Sequence, residues 1–334
     1  MKQSRHLIAV VLGATALAAA AGGVASADHH GRERKADNRA RLFTLSPDPA
    51  ANPEGIAFSK ALGAFFVSDT GSGAIYRGTL GSTTVSPFIP GSAGHSAIGL
   101  KVFRGKLYAA GGSTGTITVY DLATKQVVAA FDTGSGGFLN DLVVTRRGDV
   151  YVTDSTRPTL WHVTAAQVAA GSGTPQALDV SRDIPFPSGF NLNGIVAAGE
   201  RRLVVVQSNT GKLFRIALSR DGSAIRAIDA VTGVSVPGGD GLLLDRGRLL
   251  VVQGGPPAQI SFVKLRHGDR RGEVSAVRTS PLLKGPSTIA RARDLYLVVN
   301  ADFATSTKPF TVAGLPRGDD APNHDRGDDN SGHS

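Results

Sequence analysis

The chain contains 334 residues, of which 42 are Gly and 17 are Pro, and it contains no Cys. The absence of Cys excludes a disulfide framework, a thiolate-bound zinc or iron–sulfur centre and a thiol nucleophile. The formal net charge is +9, but the basic residues are scattered between turns without a basic helix, which argues against nucleic acid as a partner. A Gly-rich chain with 41% hydrophobic residues predicts many short strands joined by turns.

The first 27 residues have the organisation of an export signal. Lys2 and Arg5 precede an uncharged run from Leu7 to Val24, and Ala25-Ser26-Ala27 forms a small-residue cleavage site. A membrane anchor is the alternative for this segment, but the run is poor in Leu, Ile and Phe. We therefore expect cleavage before Asp28, secretion of the mature chain and no membrane association afterwards.

Residues 28–41 follow the signal and are polar and highly charged. They contain too few apolar side chains to fold alone, so we expect a flexible charged arm. Residues 317–334, at the other end, contain five Asp together with Gly, Asn and His. The same reasoning predicts a disordered acidic tail there.

Between residues 42 and 316 the sequence repeats a pattern of short apolar runs separated by Gly-, Ser- and Asp-rich turns. Six copies begin 43 to 53 residues apart, at Glu54, Ala97, Asn140, Asn193, Asp240 and Pro286. A unit of this size with three or four strands is typical of one propeller blade, and the connections are too short for the crossover helices of a parallel sheet. We therefore predict an all-β, six-bladed β-propeller, closed by pairing of the 42–45 run with the last blade.

Four of the six repeat starts carry oxygen donors. The first strand of each blade faces the central channel, so Glu54, Asn140, Asn193 and Asp240 are expected to converge there. A buried polar group left unpaired costs roughly 1–3 kcal/mol, so these groups need a partner. Two carboxylates and two amides, without Cys or His, suit one hard divalent cation: Ca²⁺ is the preferred candidate, with Zn²⁺, Mg²⁺ and Mn²⁺ as alternatives.

A competing interpretation is that the dipeptides Asn140-Asp141, Asn193-Gly194 and Asp240-Gly241 simply form turns. Against it, each dipeptide precedes an apolar run at the same phase of the repeat. Glu54, the equivalent residue of the first repeat, is also not a turn-forming residue. The pattern therefore favours the metal ring.

These motifs resemble those of the senescence marker protein/gluconolactonase (regucalcin-like) family of six-bladed propellers, over residues 45–312. The resemblance lies in four dipeptides in the right order: Glu54-Gly55, Asn140-Asp141, Asn193-Gly194 and Asp240-Gly241. It implies that the first residue of each dipeptide binds one divalent ion. It also implies that the protein hydrolyses a lactone or an ester.

The same resemblance assigns roles around the ion. Asp240 is implied to be the general base that activates water, or alternatively the nucleophile, and Asn140 to contact the substrate. Phe138 stands where family enzymes that act on sugar acids carry Arg, so we expect Phe138 to bind substrate and the substrate to be apolar. His95 is a second candidate base at the channel mouth, with a solvated loop residue as the alternative.

The sequence thus favours an exported metal-dependent hydrolase that acts on a small molecule as a monomer. The alternative is a non-catalytic propeller that binds a ligand or a protein and holds a structural calcium ion. Propellers serve both purposes, so the fold class alone does not choose between them.

Overall fold

The computed structural model describes residues 39–45 and 52–318. The predicted signal peptide, residues 28–38 of the predicted arm and residues 319–334 of the predicted tail lie outside these ranges, and their assignments stay predictions. Within the described ranges, no helix is both long enough and apolar enough to cross a membrane.

The described residues form 24 strands and one short helix, which fall into six units of four strands. Unit 1 contains β2 Pro53–Ser59, β3 Ala64–Asp69, β4 Ile75–Thr79 and β5 Thr84–Ile89. Unit 2 contains β6 Leu100–Phe103, β7 Lys106–Ala110, β8 Thr116–Asp121 and β9 Val127–Asp132. Unit 3 contains β10 Leu139–Val144, β11 Val150–Asp154, β12 Thr159–Val163 and β13 Gln176–Asp179.

Unit 4 contains β14 Leu192–Ala197, β15 Arg202–Gln207, β16 Lys212–Leu218 and β17 Ile225–Ala230. Unit 5 contains β18 Gly239–Asp245, β19 Arg248–Gln253, β20 Gln259–Arg266 and β21 Arg271–Thr279. Unit 6 contains β22 Pro286–Ala292, β23 Leu295–Asn300, β24 Thr311–Pro316 and, from the N-terminal end of the described chain, β1 Arg41–Leu45.

Strands that follow one another within a unit pair in antiparallel fashion. Units 2 to 5 each form a separate four-stranded sheet, and units 1 and 6 share one sheet in the order β2-β3-β4-β5-β1-β24-β23-β22. The first strands of the six units contact one another in succession, and β22 contacts β2, so the succession closes on itself. The predicted all-β propeller class is therefore confirmed.

Strand β1 joins the two ends of the described chain. It lies antiparallel to β24, with Phe43 opposite Val312, and parallel to β5, with Thr44 opposite Thr84. The prediction that the 42–45 run pairs with the last repeat is thus confirmed. The pairing removes the open edge that β24 would otherwise present.

The core consists of six hydrophobic clusters, each drawn from two neighbouring units. Strand β15 shows how the sequence produces this arrangement. Leu203 and Val205 pack in the cluster between units 3 and 4, whereas Val204 and Val206 pack in the cluster between units 4 and 5. Successive side chains of a strand point to opposite faces, so a continuous apolar run is required where both faces are covered.

The single described helix, α1 Ala165–Ala170, lies between β12 and β13. Thr164 accepts a hydrogen bond from the backbone of Gln167, and the Gln167 side chain accepts one from the backbone of Thr164. This reciprocal capping box starts the helix, and Gly171 ends it in a left-handed conformation.

Candidate functional site

A β-bulge occurs at the same place in the first strand of five units. In unit 1, Pro53 pairs with Asp69 and Ile56 pairs with Val67, so two residues of β2 lie opposite the single residue Ser68. Such a β-bulge turns side chains out of the regular alternation. The two residues of each bulge are Glu54-Gly55, Asn140-Asp141, Asn193-Gly194, Asp240-Gly241 and Ser287-Thr288.

The bulge register corrects two of the six predicted ring positions. Ser287, not Pro286, is the equivalent of Glu54 in unit 6. In unit 2, Leu100 pairs with Ala109, which makes Ile98 rather than Ala97 the equivalent residue. In unit 2 the predicted position is one residue early because Ala97 and Ile98 carry no oxygen donor that would mark the ring position.

Glycine occupies the second position of three bulges because the backbone of the next unit approaches closely. A Cβ atom on Gly55 would lie 2.0 Å from the carbonyl oxygen of Ile98, and one on Gly194 would lie 2.2 Å from that of Asp240. Neither these glycines nor Gly241 has a left-handed φ, and all three lie within strands. Asn140-Asp141, Asn193-Gly194 and Asp240-Gly241 all lie within strands, so the interpretation that these three dipeptides simply form turns is wrong.

Four of the five bulges contribute their first residue to the lining of one cavity of about 810 Å³. All six residues predicted to form the site lie in its lining: Glu54, His95, Phe138, Asn140, Asn193 and Asp240. Its volume lies within the usual range of small-molecule sites, roughly 300–1,000 Å³. The structure thus brings the predicted residues together, while their chemical roles stay predictions.

Neighbouring serines set the orientation of the two amide side chains. Asn140 Nδ2 donates to Ser155 Oγ at 2.9 Å, and Ser155 Oγ in turn donates to the carbonyl oxygen of Leu192 at 2.6 Å. Asn193 Nδ2 donates to Ser208 Oγ at 3.1 Å, and Ser208 Oγ donates to a backbone carbonyl of unit 5. Because each serine hydroxyl has given its proton elsewhere, it accepts from an amide N–H, which fixes the amide oxygen on the other side.

Each of the four predicted ligands has one oxygen that is shielded from solvent and receives no hydrogen bond from the described residues. These oxygens are Glu54 Oε2, Asn140 Oδ1, Asn193 Oδ1 and Asp240 Oδ1. Native proteins rarely leave buried polar atoms without partners, so four in one cavity need a common explanation. A cation that accepts lone pairs from all four oxygens supplies one.

Burial raises the pKa of both carboxyl groups of the site. For Glu54 the largest cause is desolvation, followed by repulsion from Asp240 and Asp141, while Lys101 opposes the rise. For Asp240 desolvation again comes first and Asp141 adds to it, whereas the neighbouring Asn193 amide lowers the pKa. Asp240 as a whole residue is half-buried, yet its Oδ1 atom is shielded from solvent.

These raised pKa values predict the pH dependence of cation binding. A folded-state pKa above the unfolded value means that the metal-free protein gains stability as the pH falls, and loses it as the pH rises through the raised pKa. A cation competes with the same protons. We therefore expect the affinity for Ca²⁺, measured by calorimetry, to increase from about pH 5 to about pH 8. An affinity that does not change with pH would mean that the ion binds without these carboxylates.

The residues present fit a hard divalent cation. Two carboxylates balance its charge, and two oriented amide oxygens add neutral ligands. No group of three His, Cys, Asp or Glu side chains that could hold a metal ion is found in residues 39–45 and 52–318. A cation at this site would therefore depend on the amides of Asn140 and Asn193 as well as on the two carboxylates. All four donor atoms are oxygens, which are ligands that Ca²⁺ accepts more readily than softer metals do.

A third buried carboxylate, which the sequence analysis did not predict as part of the site, belongs to Asp141, the neighbour of the predicted ligand Asn140. Asp141 accepts a hydrogen bond from Lys101 Nζ at 2.9 Å and another from its neighbour Leu142, and its side chain is only 3% exposed. Lys101 therefore neutralises this charge from within the protein. The spacing of Lys101 from Asp141 in the sequence gives no indication of this pair.

The remaining lining residues include two aromatic side chains and one motif that the sequence analysis did not identify. Phe190 and Phe303 join Phe138 around the cavity. Ser113, also in the lining, stands in a G-x-S-x-G pattern that spans residues 111–115. In hydrolases that use this motif it turns a strand into a helix, whereas here it links β7 to β8 in a hairpin, so the match does not indicate a nucleophile.

Comparison with known proteins shows likeness in structure without a match in sequence family. No protein-family model matches the chain, and no curated protein matches it. A gluconolactonase from Xanthomonas campestris is similar with a TM-score of 0.57 and 19% identity, covering 83% of this chain and 90% of its own. A calcium-binding protein, regucalcin, from Agrobacterium tumefaciens has a TM-score of 0.59 and 17% identity, covering 82% and 92%.

These similarities establish the fold, and they include the family that the four dipeptides resemble. The virginiamycin B lyase from Staphylococcus aureus is also similar, with a TM-score of 0.57 and 10% identity, covering 83% of this chain and 99% of its own. A lyase and a lactonase thus share this architecture. The activity must therefore be argued from the site.

Proposed function

We propose that this protein is a divalent-metal-dependent hydrolase of lactones or esters. One cation, Ca²⁺ in the first instance, would be held by Glu54, Asn140, Asn193 and Asp240. The observation that supports this proposal is the set of four shielded oxygens without protein partners, all in the lining of one cavity of substrate size. The likeness to gluconolactonase and regucalcin agrees with it.

The chain supplies the groups that such a reaction needs. A bound divalent ion supplies Lewis-acid chemistry, which polarises a carbonyl group. Asp240 lies in the cavity lining and is our candidate for the base that takes a proton from the attacking water. Asn140 and Phe138 flank the place where substrate would lie, and the exposed His95 is the second candidate base.

We further propose that the mature protein is secreted after removal of residues 1–27. It would act as a monomer on a small molecule, without a nucleic-acid partner and without a membrane. The support is the arrangement of the N-terminal 27 residues and the scattered distribution of positive charge in the sequence.

The purified protein should hydrolyse at least one member of a panel of lactones and aryl esters in the presence of Ca²⁺, Mg²⁺, Mn²⁺ or Zn²⁺. EDTA should abolish the turnover, and adding the ion back should restore it. A Ser113→Ala variant should retain metal-dependent turnover, whereas loss of a catalytic nucleophile would abolish it, since Ser113 lies in a hairpin and not in a nucleophile turn. A His95→Ala variant tests the second candidate base in the same assay.

If the protein binds Ca²⁺ but turns over no member of the panel with any of the four ions, the hydrolase proposal is wrong. The chain would then be a ligand-binding propeller with a structural calcium ion. Activity that survives removal of all divalent ions would also contradict the proposal.

A further inference from the structure

The cavity mouth collects the exposed aromatic side chains of the described structure. Among the Phe, Tyr and Trp residues in residues 39–45 and 52–318, only Phe190 and Phe303 are exposed, at 49% and 62%, and both line the cavity. Exposed phenylalanines that gather at one opening mark a binding surface. We use the term aromatic rim for Phe138, Phe190 and Phe303.

The aromatic rim lies on two sides of the ring. Phe138 and Phe190 form an edge-to-face pair with ring centroids 4.9 Å apart. Phe138 stands one residue before the first strand of unit 3, and Phe190 stands two residues before that of unit 4. Phe303 lies in the connection between β23 and β24 of unit 6. Unit 6 is three units away from unit 3 in the closed succession, so Phe303 borders the cavity from the opposite side. An apolar group between them would contact rings on both sides.

The lining from units 1 and 2 is different in character. It provides small hydroxyl side chains: Thr70, Ser96, Ser113 and Thr114. The cavity therefore has aromatic rings near units 3, 4 and 6, hydroxyl side chains from units 1 and 2, and a floor of carboxylate and amide oxygens. Such a division suits a ligand with a polar head and an apolar arm.

No Lys or Arg side chain lines the cavity among the described residues. The nearby Arg157 is held elsewhere, since its Nε donates to Asp154 Oδ2 at 2.7 Å and its Nη1 to the carbonyl oxygen of Thr133 at 3.0 Å. With the cation bound, Glu54 and Asp240 balance its two charges, so a carboxylate or phosphate on the substrate would find no further Lys or Arg side chain in the described lining to pair with it. This charge distribution disfavours anionic substrates.

We propose that this site takes uncharged lactones or esters that carry an alkyl or aryl arm, with the arm lying against the aromatic rim. The proposal rests on the proposed function and adds the substrate class to it. The reaction consumes one water: its oxygen forms the new bond to the carbonyl carbon, the acyl C–O bond breaks, and a water proton ends on the released alkoxide oxygen. The product is a hydroxy acid, or an acid and an alcohol.

The test is hydrolysis of γ-lactones whose side chain grows from methyl to octyl, with glucono-δ-lactone as the polar counterpart. Each methylene buried against the rim should raise kcat/KM by about fourfold until the rim is covered. The Phe190→Ala and Phe303→Ala variants should each lower kcat/KM for the octyl lactone by about tenfold, and for the methyl lactone by less than about twofold. Leu62→Ala, which removes an exposed apolar side chain outside the cavity, is the matched control.

A second readout does not depend on turnover. Octyl and methyl γ-lactams, which resist hydrolysis, should bind the wild-type protein with the same preference for the longer chain, measured by calorimetry. If no lactone is hydrolysed but the lactams show this preference, the proposed hydrolase function fails and the inference about the rim is supported. If glucono-δ-lactone is the better substrate, or if the Phe variants affect short and long chains equally, the inference is wrong and the hydrolase function stands.

Discussion

Replacing Asp240 with Asn is expected to abolish most of the metal-dependent activity of this protein. The substitution keeps the shape of the side chain but removes the candidate base and one of the two charges that balance the cation. Loss of a general base lowers kcat/KM by about 10²–10⁴-fold. We expect Ca²⁺ binding to weaken by at least about 100-fold, because removing an outer-sphere partner alone costs metal sites about 10–100-fold.

The same variant should not unfold the metal-free protein. Burial holds the pKa of Asp240 above its ordinary value, which means that its charge opposes folding near neutral pH. The neutral Asn relieves that penalty, so the melting temperature without metal should stay the same or rise. Asp183→Asn, at an exposed position outside the cavity, is the matched control and should bind Ca²⁺ normally. Full Ca²⁺ binding and full activity in Asp240→Asn would show that Asp240 is not part of the site.

Replacing Gly194 with Ala is expected to damage the site through the backbone. The added Cβ would lie 2.2 Å from the carbonyl oxygen of Asp240 and 2.8 Å from the backbone nitrogen of Leu242. Neither atom belongs to a flexible side chain, so units 4 and 5 must move apart. We expect the free energy of unfolding to fall by about 1–3 kcal/mol or more. Ca²⁺ binding should also weaken, since Asn193 and Asp240 would separate and ligands must be held to within about 0.5 Å.

Gly81→Ala provides the comparison for this prediction. A Cβ on Gly81 would meet no atom within 4 Å, and Gly81 has no left-handed φ, so its replacement should be nearly neutral. Urea unfolding and calcium calorimetry on both variants measure the two effects. If Gly194→Ala matched Gly81→Ala in both measurements, the close approach of units 4 and 5 would not be what positions the ligands.

Much of the architecture could be predicted from the sequence because the chain repeats itself. Both faces of β15 are covered, so its residues Leu203, Val204, Val205 and Val206 form a continuous apolar run, and such runs recur in each repeat with short turns between them. Four ring residues could be predicted because they place a polar side chain at the same position of their repeats, just before an apolar run. These residues are Glu54, Asn140, Asn193 and Asp240.

Other features could not be read from the sequence for physical reasons. The repeat pattern predicted Pro286 at a ring position that Ser287 occupies, because a β-bulge adds a residue without a characteristic composition. It predicted Ala97 where Ile98 belongs, because neither residue carries an oxygen donor that would mark the ring position. The glycines at the bulges looked like turn residues, although close packing between units requires them. Phe303 stands in an irregular connection outside the repeat, so no pattern could assign it to the cavity.

The central claim, that four oxygens hold one divalent ion, is tested most directly by a crystal structure of the protein grown with Ca²⁺. We predict one ion in contact with Glu54, Asn140, Asn193 and Asp240 at oxygen distances of about 2.3–2.6 Å. Anomalous scattering at that position would identify it as calcium. A water molecule alone at the meeting point of these oxygens, in crystals saturated with Ca²⁺, would contradict the claim.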